Sequence, residues 1–146
     1  FIEDEGIELK SLRRIHQQFG DNVHINVTSY NRLVLLTGEA PTAEIKADIE
    51  KLIMGVDNVR KIYNEIAVAN ATSLASRSND TLLTSKVKTR FLTERKFQIN
   101  HVKIVSENAV VYLMGMVTRQ EGDNAAQIAS GTSGVRKVVK VFEYIN

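Results

Sequence analysis

The chain contains no cysteine, no tryptophan and only one proline, Pro41, in 146 residues. Without cysteine these residues hold no disulfide and no thiolate-ligated metal. With a single proline they hold no long proline-stiffened linker. No apolar run approaches the roughly 20 residues of a membrane-spanning helix. The motifs of common catalytic sites are missing as well: there is no glycine-rich phosphate loop, no nucleophile elbow and no Glu-x-x-His arrangement. His16, His24 and His101 are scattered over separate segments without metal-ligand spacing and read as surface histidines. The basic residues are not interleaved with aromatics and no nucleic-acid-binding motif occurs, so nucleic acid is not an expected partner. No cofactor, no metal and no enzymatic activity is expected.

What is present is charge of opposite sign in the two halves. Residues 1–70 carry 8 Lys and Arg against 11 Asp and Glu, a net −3, and residues 71–146 carry 11 against 6, a net +5. The second half therefore offers the surface suited to anions.

Periodicity divides the chain into two copies of one pattern. Ile7, Leu12, Ile15 and Phe19 share a broad helical face, which Gly20-Asp-Asn22 ends. Val23–Ser29 alternates apolar and polar residues, the period of a half-buried strand. A turn at Tyr30-Asn31 leads into a second strand over Arg32–Thr37, and Gly38 breaks it. Pro41 stands where a helix start has no use for its missing donor. Ile45, Ile49, Leu52 and Ile53 give a second helical face, and Ile62–Val68 reads as a third strand. The small polar stretch Ala69–Asn79 has no periodicity and reads as a linker. The order then recurs: a helix over Asp80–Glu94, strands over His101–Ser106 and Ala109–Met114 joined across Glu107-Asn108, a helix over Arg119–Ser130, and a strand over Val139–Ile145. Asp4 pairs with Asp80, Ile7 with Leu83 and Ile15 with Phe91 at an offset of 76, Gly38 with Gly115 at 77, and Gly55-Val56 with Gly134-Val135 at 79. Matched landmarks at a nearly fixed offset indicate a duplicated module. Each copy is expected to be α+β, with αββαβ order and a three-stranded sheet covered on one face by two helices. The expected layout is a first module over 1–69, a linker over 70–79 and a second module over 80–146.

The helix at Asp80–Glu94 departs from simple amphipathicity. Asp80 is a suitable N-cap residue. Leu83, Val87 and Phe91, at i, i+4 and i+8, form the stripe a core needs. Leu82 and Leu92 lie about 140° from the centre of that stripe, with Ser85 and Thr89 between them and Lys86 and Lys88 at the edges. Leucines facing outward between lysines suit either a domain contact or a lipid surface. In the latter, lysine stems lie along apolar surface while their ammonium groups reach phosphates. The equivalent positions in the first helix are Gly6, Lys10, Leu12 and His16, beside Glu3, Asp4, Glu5 and Glu8, so that helix is not expected to engage lipid. Arg95 and Lys96 could extend the cationic edge, and Arg136, Lys137 and Lys140 could do so from the other end of the module or be ordinary solvated charge.

Several segments carry a family resemblance: Ile25-Asn-Val-Thr28, Leu35-Leu-Thr-Gly38, Met54-Gly-Val-Asp57 with Val59, Tyr63-Asn-Glu-Ile66, Ser78-Asn-Asp-Thr81 and Leu113-Met-Gly115. With the αββαβ order they make each half resemble the BON domain. Two in tandem resemble the dual BON-domain outer-membrane lipoproteins of Gram-negative bacteria, over nearly the whole chain. The resemblance implies a periplasmic protein held at the inner leaflet of the outer membrane by a lipidated cysteine that is not among these residues. It implies a role in outer-membrane integrity, and binding of anionic phospholipid through the first helix of the second domain. The residues placed at the lipid are Leu82, Lys86, Lys88, Arg90 and Leu92. Where a relative carries tryptophan this chain has Leu82, a weaker interfacial anchor. The alternative is an adaptor that binds other envelope proteins, with any lipid contact incidental.

Overall fold

The computed structural model describes residues 2–70, 74–94 and 102–145. The chain divides into two compact units, Phe1–Thr72 and Ser73–Asn146.

In the first unit, helix α1 (Ile2–Phe19) and a short 3-10 turn precede strands β1 (His24–Tyr30) and β2 (Leu33–Ala40), then helix α2 (Ala43–Met54), β3 (Lys61–Asn64) and β4 (Ala67–Val68). Strand β2 is central. It pairs antiparallel with β1 and parallel with β3 and β4, and the parallel partner is reached through α2, because a parallel return needs a crossover. The third strand, expected to be continuous from Ile62 to Val68, is split. Asn64 donates from its side-chain amide to the Lys46 carbonyl on α2 and accepts from the Ile66 N–H, which turns Ile66 into the core between β3 and β4. Ile7, Ile15, Val34, Leu36, Ile49 and Ile53 are among the core residues packed between helices and sheet.

The second unit repeats this order with helix α3 (Leu74–Glu94), strands β5 (Lys103–Glu107) and β6 (Val110–Val117), helix α4 (Arg119–Ser130) and strand β7 (Lys137–Tyr144). Strand β6 is central, antiparallel to β5 and parallel to β7 along all eight residues of β7. Its core includes Leu83, Val87, Phe91, Val111, Leu113, Ala125 and Ile128. Both units are thus the expected α+β module.

Several expectations are corrected. Helix α3 begins at Leu74, so Leu74–Asn79 of the stretch read as a linker are helical, and Asp80 is not a cap. Its side chain is buried and accepts from the N–H groups of Asn108 (2.6 Å) and Ala109 (2.9 Å), the two turn residues of the β5–β6 hairpin. Asp4 does the same in the first unit, accepting from the N–H groups of Asn31 (2.9 Å) and Arg32 (2.8 Å) and from the Ser29 hydroxyl (2.7 Å). These hairpin turns lie one residue later than expected, at Asn31-Arg32 and Asn108-Ala109. All four residues have positive φ, between 50° and 64°, as a two-residue type I′ loop requires at both positions. No glycine marks either turn, and a buried or half-buried carboxylate on the neighbouring helix holds it instead.

In α1 the buried position between Ile7 and Ile15 is Ser11, at strict i+4 spacing, while Leu12 lies about 100° further round and is exposed. The pairing of Gly55-Val56 with Gly134-Val135 is also corrected. The α2 and α4 caps are Thr42 and Thr118, their C-caps are Gly55 and Gly131, and the left-handed turn residues that follow are Asn58 and Gly134. Every one of these pairs is offset by 76, so a glycine-based alignment slipped by one helical turn.

Candidate functional site

Helix α3 presents two different faces because only one of them is needed for folding. Leu83, Val87 and Phe91 are buried and fix the rotation of the helix about its axis. At about 100° per residue, the direction opposite Val87 passes between Ser85 and Thr89, with Leu92 and Leu82 about 40° to either side and Lys88 and Lys86 about 80° to either side. Leu82 is 63% exposed and Leu92 60%, and Lys86 and Lys88 are exposed too. The two leucines are about 15 Å apart along the axis, with the lysines between their levels. Among the described residues neither lysine forms an ion pair. No charge lies within about 60° of the outward direction over Thr81–Thr93.

A feature missed from the sequence runs down this face. The hydroxyls of Thr81, Ser85, Thr89 and Thr93 each donate to the carbonyl four residues before, on Arg77, Thr81, Ser85 and Thr89, at 3.2, 3.3, 2.9 and 2.9 Å. The i+4 spacing of four hydroxyl residues was visible and is the signal that could have found it, since such back-bonding is a standard option for Ser and Thr inside helices.

Arg90 does not belong to this face. It lies about 120° from the outward direction, and its guanidinium Nη1 donates to the Ile128 carbonyl (3.0 Å) and the Thr132 hydroxyl (3.4 Å) at the end of α4. An arginine here satisfies a terminal carbonyl and favours the negative end of the helix dipole. The equivalent residue at offset 76 is Arg14, whose Nη1 lies next to Gly55 at the end of α2. An arginine thus stands beside the C-cap glycine of the second helix in both copies, and the Arg90 guanidinium is turned to the end of α4 rather than to the outward face where phosphate contact was expected.

Helix α1 also carries exposed apolar side chains, Ile2, Leu9 and Leu12, of which Leu9 is 63% exposed. What separates it from α3 is charge. The positions equivalent to Thr81 and Thr89 are Glu5 and Arg13, both on the outward face, and its first turn is acidic with Glu3, Asp4 and Glu5. Of the histidines, His16 is exposed, while His24 is not the surface residue expected: its side chain is 16% exposed and its Nδ1 lies 3.2 Å from Glu39 Oε1. His101, Arg95 and Lys96 lie outside the described residues. Arg136, Lys137 and Lys140 are exposed, with the Lys140 ammonium 3.3 Å from Asp123 Oδ1.

Two αββαβ modules in tandem define a class of duplicated α+β protein, here with an uncharged strip of leucines and hydroxyl residues between two lysines on the second module. The chain belongs to the BON-domain family, whose sequence model matches residues 3–70 and again 79–146. Among its relatives is the outer membrane lipoprotein DolP of Haemophilus influenzae, 38% identical over 99% of this chain and 76% of that protein. A 21 kDa hemolysin of Actinobacillus pleuropneumoniae is 32% identical over 99% of this chain and 75% of that protein. Osmotically-inducible protein Y of Escherichia coli is 28% identical over 94% of this chain and 71% of that protein. None of these names denotes an enzyme. No helix among the described residues is long and apolar enough to cross a membrane.

Proposed function

We propose that this chain is a non-enzymatic periplasmic envelope protein of the outer membrane, and that it binds anionic phospholipid through the outward face of α3 and supports outer-membrane integrity. The observation that carries the reading is the uncharged strip of α3, with Leu82 and Leu92 exposed and Lys86 and Lys88 along its two edges. Burying a leucine side chain contributes about 1.5–3 kcal/mol when it starts fully exposed. At roughly 60% exposure the two together contribute about 2–4 kcal/mol. Each lysine near an anionic surface adds on the order of 1 kcal/mol. The sum suits a reversible surface contact that supplements a separate anchor. The name of the H. influenzae relative supports the outer-membrane assignment.

The test is co-sedimentation with phosphatidylglycerol vesicles. Leu92→Glu places a charge in the strip without touching the core, so the variant keeps its thermal melt and binding falls at least tenfold. Unchanged binding by Leu92→Glu sinks the reading.

A second reading, an adaptor for other envelope proteins, is favoured by exposed Ile2, Leu9 and Leu12 on the acidic helix α1. Its test is Leu9→Glu rather than a change at Glu8, because the Glu8 carboxylate accepts from the Ser29 N–H and is needed by the fold. Loss of a protein partner on Leu9→Glu, with vesicle binding intact, would favour it.

A further inference from the structure

The hydroxyl row of α3 restricts what the lipid face can recognise, and this inference rests on the phospholipid reading above. Phosphate and ester oxygens of a lipid accept hydrogen bonds and have none to give. A hydroxyl whose proton is already committed has no donor left for them. All four hydroxyls of the row, on Thr81, Ser85, Thr89 and Thr93, are committed to backbone carbonyls of the same helix. Over Thr81–Thr93 the donors left on this face are the ammonium groups of Lys86 and Lys88, which sit at its two edges. The same pairing lets the centre of the face leave water cheaply, because a polar group is costly to desolvate when its hydrogen bond is unmade. Leu82 and Leu92 lie beside that centre, so the hydroxyl row and the leucines go down together while the lysines stay at the level of the phosphates.

We propose that α3 reads a bilayer by its charge density and by insertion, with no hydrogen bond from the stretch Thr81–Thr93 to the phosphate beyond those of Lys86 and Lys88. The face is therefore indifferent to which monoanionic head group carries the charge. The hydroxyls make the strip wide enough to be uncharged without making it so apolar that it aggregates, since a contiguous exposed apolar patch is a liability in water.

The experiment uses the whole chain with vesicles of zwitterionic phosphatidylcholine doped, at equal mole fraction, with phosphatidylglycerol or phosphatidylserine. Wild type is expected to bind the two within twofold. The double variant Ser85→Ala/Thr89→Val, nearly isosteric and confined to exposed positions, is expected to bind as tightly as wild type or up to tenfold tighter, with an unchanged melt. Free glycerol phosphate at millimolar concentration is expected not to compete. A preference of tenfold or more for one head group, a tenfold loss in the double variant, or competition by glycerol phosphate would overturn the proposal. Any of these with Leu92→Glu still abolishing binding leaves the phospholipid reading standing and removes only this inference. A wild type that does not bind either vesicle, or a Leu92→Glu variant that binds normally, removes both.

Discussion

Asp80 separates the two roles that a carboxylate at the beginning of the second module could have. As an N-cap it would satisfy one helix N–H, and serine, an equally good cap, would replace it at almost no cost. In the structure it accepts two N–H groups from Asn108 and Ala109, across 28 and 29 residues of chain, and is itself buried. Hydrogen bonds to a charged acceptor contribute about 1.5–3 kcal/mol each. Asn108 is exposed, so water recovers part of one of them. Asp80→Ala should therefore destabilise the second module by about 2–4 kcal/mol. In a domain of this size that lowers the melting temperature by on the order of 10–20 °C. Asp80→Ser should be as damaging as alanine, because its hydroxyl is too short to reach the turn. Asp80→Asn, which keeps one acceptor oxygen and loses the charge, should fall between. Calorimetric melts of the three variants provide the measurement, with equal calorimetric and van't Hoff enthalpies checking that each transition is cooperative. An Asp80→Ser protein within about 0.5 kcal/mol of wild type, the size of effect expected for swapping one cap for another, would refute the turn-holding role.

Asp4 makes the equivalent contacts, and its titration gives a pH dependence. Burial pushes its carboxyl up, but the bonds from the Ser29 hydroxyl and the Arg32 and Asn31 N–H groups together outweigh that and hold it below the usual value of 3.8. A depressed pKa in the fold means that the stabilisation is fully present above the unfolded value, near pH 4, and is lost as pH falls through the folded one. Acid melts of the first unit should steepen below pH 4, and Asp4→Asn should flatten that dependence. Ser11 is fully buried where the other copy has Val87, and its hydroxyl has no hydrogen-bond partner among the described residues. Ser11→Ala should thus be neutral or stabilise by up to about 1 kcal/mol, as a shift in denaturant midpoint at constant slope. At Gly38, φ is 112° and a Cβ would stand 2.0 Å from the backbone oxygen of His24. No rotamer change relieves a backbone clash, so Gly38→Ala should cost well over the ~1 kcal/mol of a conformational mismatch alone and unfold the first unit while the second still melts cooperatively.

The periodicities that a core imposes are legible along the chain because they depend on local geometry. Leu83, Val87 and Phe91 recur at the pitch of a helix, and a strand's alternation follows from its pleat. Two copies of the same order made the αββαβ module readable twice, and the family segments supported it. The two outward leucines of α3 were readable for the same reason, since the core stripe sets the rotation of the helix and everything opposite it must face away. The missed hydroxyl row was equally local, four residues at a constant spacing of four.

Contacts distant in sequence were not readable, and they decided the roles of single residues. Asp80 has the composition of a cap, and only the arrival of a hairpin turn 28 residues later makes it a turn-holding carboxylate. Arg90 has the composition of a phosphate ligand, and only the end of α4, 38 residues on, occupies its guanidinium. Glycine misled the alignment of the modules because it stands at two different places in them, an αR helix C-cap at Gly55 and Gly131 and a left-handed turn at Gly134, and only the second needs its backbone freedom. Gly55 matches Gly131 in geometry, while Asn58 takes the turn that Gly134 takes. The sequence by itself determined the duplicated module and the two-faced character of α3, because both follow from spacing along one element. The tertiary structure alone decided which polar side chains are consumed by the fold and which remain on the surface, because a hydrogen bond depends on where its partner has been carried by the rest of the chain.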